Sequence, residues 1–136
     1  MTPEDGIEAA LTAAVRNFNE GRYFDAGEQF ELLAAQAQAE LKSLLEALNR
    51  VAAALHLRFN RGGRQASINL LAQAAITLED LRPARAGIDV ERLCQELHAF
   101  TEDLRKSPRE FEAGALRYRA QLFLERRRAP RIVRSR

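Results

Sequence analysis

The sequence predicts an all-α protein, a compact bundle of five to six helices. Three observations carry that expectation. Apolar residues recur every three or four positions along most of the chain, the spacing that lines one face of a helix. Gly and Pro fall in clusters between these periodic runs, where they punctuate rather than interrupt. No stretch alternates apolar with polar residues, so no sheet is expected.

The elements follow in order. Pro3 suits a first helical position, with Thr2 before it as a cap and Glu4 and Asp5 near the positive end of the dipole. Ile7, Leu11, Ala14, Val15 and Phe18 then form one stripe, and Gly21 suits the left-handed turn that ends it. From Tyr23 the spacing runs through Ala26, Phe30 and Leu33, then on through Leu44, Leu48, Val51 and Leu55 without Gly or Pro before Gly62. One long helix would satisfy the periodicity. Two antiparallel helices would bury more apolar surface, which predicts a break near Ala35–Glu40.

Gly62-Gly63 marks the next turn, and a helix over about Arg64–Leu81 turns Ile68, Leu71, Ala75 and Leu78 inward. Pro83 and Gly87 bracket a loop. Asp89 is placed to cap a fifth helix carrying Leu93, Leu97, Phe100 and Leu104, with Ile88 and Leu93 arranged as a hydrophobic staple. Ser107-Pro108-Arg109-Glu110 reads as another helix start, followed by Phe111, Ala115, Tyr118 and Leu122 on one face and fraying near Arg127, ahead of Pro130. The expected centre is Phe18, Phe30, Leu33, Leu48, Val51, Leu55, Leu71, Leu78, Leu93 and Leu97.

At 136 residues the chain fits one domain. The expected division is a bundle over residues 1–125 and a basic, disordered tail over 126–136. Net charge is +2, unevenly shared: residues 117–136 carry eight arginines against one glutamate, while the rest carries 13 basic and 18 acidic side chains. A basic segment of this kind suits nonspecific contact with nucleic acid or another acidic partner. Its candidate polyanion contacts are Arg126, Arg127, Arg128, Arg131, Arg134 and Arg136. Cys94 is the single cysteine, so no intrachain disulfide can form. The N-terminus has no basic run followed by an apolar core, and no apolar run is long enough for a transmembrane segment, so a cytoplasmic protein is expected.

Phe18-Asn19-Glu20-Gly21-Arg22-Tyr23-Phe24-Asp25-Ala26-Gly27-Glu28 resembles the opening signature of domain-of-unknown-function family 309, F-N-x-G-x-Y-[FW]-x-A-H-E-x-x-E-x-x-W. Leu48–His56, Gly62–Leu71 and Gly87-Ile88-Asp89-Val90 are similar, in order, to the family's later helices and turns. The resemblance covers about residues 15–105 and implies a compact helical bundle; no established activity comes with it. This chain departs from the pattern at Gly27, where the family has histidine, and at Ala34, where it has tryptophan. The family's turn asparagine falls at Gly63 and its Gly-Ala pair at Ala66-Ser67. Glu28, Glu31 and His56 are retained. Gly21–Ala26 with Phe30 is also similar to half of a tetratricopeptide repeat, but no second copy follows.

Glu28 and Glu31 share a helix face and, with His56, are the candidate catalytic residues for general-base or metal-assisted hydrolysis. Cys94 and His98 lie one helical turn apart, half of a metal site at most. Gly62-Gly63-Arg64 lacks the Lys-Ser/Thr of a phosphate loop and reads as a turn. No dinucleotide-binding glycine motif appears. No cofactor and no metal is therefore expected. The leading expectation is a non-catalytic scaffold or protein-interaction module, with self-association or a protein partner. A degenerate enzyme built on Glu28, Glu31 and His56, and a polyanion binder built on the arginine cluster, are the alternatives.

Overall fold

The computed structural model describes residues 3–107 and 115–134. Among them are six helices: α1 (Pro3–Asn19), α2 (Tyr23–Gln36), α3 (Ala39–Arg61), α4 (Gln65–Glu79), α5 (Val90–Lys106) and α6 (Ala115–Arg127). Each of the first four packs against the next in the chain. The Thr2 cap, the Pro108-Arg109-Glu110 helix start and Phe111 lie outside the described residues.

Helix α3 is the central element. Its inward spacing buries Leu44, Leu48, Val51 and Leu55 completely, and α2 and α4 cover it on two sides. All ten residues expected at the centre are at most 5% exposed. The break between α2 and α3 falls at Ala37 and Gln38, which take extended backbone, inside the expected window. It lets α2 fold back antiparallel, so that Tyr23 at the start of α2 meets Phe59 near the end of α3. Gly62 ends α3 with φ of 72°, a left-handed conformation that turns its amide and that of Gly63 back onto the Arg58 and Leu57 carbonyls.

Asp89 caps α5 as its position suggests, its side chain accepting from the Arg92 amide at 2.9 Å. Ile88 and Leu93 are both buried beside it. The expectation of no sheet is corrected in one detail. Ala84–Arg85 (β1) pairs antiparallel with Ile88–Asp89 (β2) around a two-residue Ala86-Gly87 turn. Both turn residues have positive φ, 51° and 72°, as a two-residue hairpin requires.

The larger correction concerns the C-terminal tail, expected to be disordered from 126. Helix α6 continues to Arg127, and residues 128–134 form an ordered strap across the bundle. Ile132 is 2% exposed within the core. The Asn19 side chain grips its backbone from both sides, donating to the Ile132 carbonyl at 2.8 Å and accepting from its amide at 2.9 Å. The Asp89 amide donates to the Val133 carbonyl at 2.8 Å, and Arg134 bridges to Ile88. The burial of Ile132 and these backbone hydrogen bonds hold this segment in place.

Candidate functional site

The candidate site lies between α2 and α3. Gly27 is buried on the inner side of α2, where a Cβ would meet Asn49 Oδ1 at 3.3 Å and Ala52 Cβ at 3.6 Å. Its lack of a side chain lets the two helices approach closely there. Beside this contact lies a cavity of about 640 Å³. Tyr23, Phe24, Ala53, Leu57 and Leu70 supply its apolar walls, and Glu28, Glu31, Asn49, His56 and Arg61 its polar groups.

All three sequence-predicted catalytic candidates therefore border one space. Glu28 and Glu31 are exposed along the α2 side, while His56 on α3 is half-buried. Among the described residues no hydrogen bond joins either carboxylate to the imidazole. The His56 ring instead lies 5.4 Å from the ring of Phe24, tilted by 51°. No three His, Cys, Asp or Glu side chains among the described residues come together as a metal-binding group. Phe24 is 56% exposed, an aromatic ring standing open at the cavity's edge. Burial pushes the Tyr23 hydroxyl pKa up, against the opposing charges of Arg126 and Arg131.

The second predicted cluster is partly engaged by the rest of the chain. Arg126 donates to the Gly21 carbonyl at 3.2 Å and lies over the Phe59 ring. Arg131 donates to the Asn19 carbonyl at 3.3 Å, and Arg134 pairs with Glu8. Part of the tail's charge thus meets the acidic body of its own chain. Arg127 and Arg128 are exposed, and Arg136 lies outside the described residues.

Cys94 and His98 point to different places. Cys94 is buried, and desolvation, with the Glu79 carboxylate adding to it, pushes its thiol up to about 11. His98 is on the surface, 3.4 Å from Glu79. Arg64, after the glycine pair, donates from Nε to the Leu104 carbonyl at 2.9 Å and ties α4's start to the end of α5.

Sequence reasoning missed one polar centre. Arg58, 1% exposed, forms a bidentate pair with Glu125, 3% exposed, at 2.7 and 2.9 Å. Ser107 and Gln121 donate to the same carboxylate at 2.6 and 3.0 Å. The Tyr118 hydroxyl accepts from Arg58 at 3.2 Å and donates to the Gly62 carbonyl at 2.9 Å. The signal was periodicity: position 58 continues the inward series 48, 51, 55, and position 125 continues 118, 122. A charge on each of two buried stripes, of opposite sign, was the available clue.

Comparison with family models, with curated proteins and with solved structures gave no match.

Proposed function

We propose that the chain is a non-catalytic interaction module whose working surface is the α2–α3 cavity. The observation that carries this reading is the mismatch between the cavity's walls and its polar groups. The walls are mostly apolar, while the carboxylates and the imidazole are dispersed around them, with His56 against an aromatic ring rather than a carboxylate. An apolar cleft with a few polar groups at its edge suits recognition. General-base chemistry is favoured by a hydrogen-bonded acid–base pair, and among the described residues none joins Glu28 or Glu31 to His56.

The chemistry of the cavity favours a peptide segment of a protein partner. It would seat one aliphatic or aromatic side chain against Phe24, Ala53 and Leu57, beside a basic residue facing Glu28 and Glu31. A second copy of the chain is one source of such a segment. The resemblance to family 309 supports the same location, because the position of that family's signature histidine is Gly27, at the closest approach of the two helices.

Peptide display against the folded chain tests this. Ala53 is exposed within the cavity, so Ala53→Trp fills the space without entering the core. Selected peptides are expected to carry an apolar residue next to Lys or Arg, to lose binding to Ala53→Trp, and to weaken against Glu28→Gln/Glu31→Gln. Peptides indifferent to Ala53→Trp would place the working surface elsewhere. A hydrolytic activity abolished by Glu31→Ala would favour the enzyme alternative.

A further inference from the structure

Helix α6 buries Tyr118 and Glu125, both fixed to Arg58, and leaves large apolar side chains exposed on its other side. Leu116, Phe123 and Leu124 are 84%, 63% and 49% exposed, and Ala120 is exposed between them. At 100° per residue these four form one strip along the helix. The same geometry sets Arg117 and Arg128 along one margin of the strip and Arg119 along the other, with Arg127 at its end. All four are exposed, and none forms an ion pair with another described residue. The only carboxylate of α6, Glu125, is buried on the opposite face.

We propose that this face of α6 docks on an anionic phospholipid surface. An apolar strip edged by guanidinium groups matches the boundary between acyl chains and phosphates: the strip enters the boundary and the arginines remain at the headgroups. A second copy is a poor occupant, because pairing α6 with itself sets arginines against arginines. A stable protein interface buries about 1,200 Å² or more, whereas a 13-residue helix is only about 20 Å long and this strip covers one side of it. Lipid docking needs no such area, since partial insertion and charge attraction add. The buried Arg58–Glu125 pair keeps the strip facing outward.

Vesicle flotation of the full chain tests the proposal, with phosphatidylcholine vesicles that either contain about one-third phosphatidylserine or contain none. The unmodified protein is expected to float with the anionic vesicles only. Arg119→Gln/Arg127→Gln should lower partitioning about 25-fold, about fivefold for each arginine removed from the surface. Leu116→Ser/Phe123→Ser should lower it at least about tenfold through lost apolar burial. These positions are exposed, so unchanged circular dichroism and melting are the control for folding. No flotation with anionic vesicles, equal flotation with both kinds, or indifference to the serine pair each overturns the proposal. So does a dimer in sedimentation that Phe123→Ser dissolves, or duplex DNA binding that outcompetes the vesicles and ignores Leu116 and Phe123.

Discussion

Replacing Glu125 with alanine strips the buried Arg58 guanidinium of its charge partner and leaves it, among the described residues, the Tyr118 hydroxyl at 3.2 Å. Arg58 is 1% exposed, so water cannot replace the lost carboxylate without opening the α3–α6 contact. Breaking one side of such a pair costs about 3–5 kcal/mol, a large part of the roughly 5–15 kcal/mol that holds a domain together. For a chain of 136 residues that corresponds to a fall in melting temperature of roughly 10–17 °C. Urea denaturation followed by circular dichroism measures it. Glu102→Ala is the contrast, since Arg105–Glu102 is an exposed pair, and should cost under about 1 kcal/mol. Arg58→Met/Glu125→Leu removes both charges and should recover most of the loss. The reasoning is refuted if Glu125→Ala costs no more than Glu102→Ala, or if the double variant is weaker than the single one. Acid titration gives a second reading of the same pair. Burial by itself would raise the Glu125 carboxyl pKa, but hydrogen bonds from Arg58, Ser107 and Gln121, with the Arg58 charge, outweigh it and hold it below the usual range. Its contribution is therefore complete above the unfolded carboxyl value near ~4.3 and is lost as pH falls through the lowered folded value. Glu125→Gln should lack that part of the acid transition.

Three further outcomes are expected. Leu71→Ala, at a site 1% exposed, should cost about 2–5 kcal/mol in urea denaturation; a loss under about half a kcal/mol would mean α4 does not bury this face. Asn19→Ala should cost about 1–3 kcal/mol and speed amide exchange at Ile132, and unchanged exchange there would show that the strap holds without its clamp. Cys94, with its thiol pushed up to about 11, should react with a disulfide reagent at neutral pH only as fast as the protein opens; rapid labelling of the folded chain would contradict its burial.

The bundle was legible because apolar spacing reports directly on the face a helix buries. Leu48, Val51 and Leu55 needed no partner to be recognised, and the α2–α3 break followed from the area gained by folding back. The hairpin was not legible. Its strands are two residues each, too short to alternate, and Ala86-Gly87 is a weaker turn signal than Asn-Gly. The strap was hidden for a different reason. Arginine-rich composition outweighs one isoleucine in any local window, and the Asn19 clamp is distant in sequence. At the cavity, residue type identified Glu28, Glu31 and His56, which border the same space. Spacing alone gave no access to the contact between the Phe24 and His56 rings.

The Asn19–Ile132 clamp joins residues 113 positions apart. On a ribosome, Asn19 emerges long before the segment it holds has been made. Helices α2 to α5 can pair in order as each appears, because each leans on its predecessor. Until synthesis reaches Ile132, however, the Asn19 amide and the backbone of Ile88 and Asp89 lack their final partners. Completion of the fold thus waits for Ile132 to follow Asn19, and a nascent chain halted shortly before that residue would present an unsealed seam to chaperones and proteases.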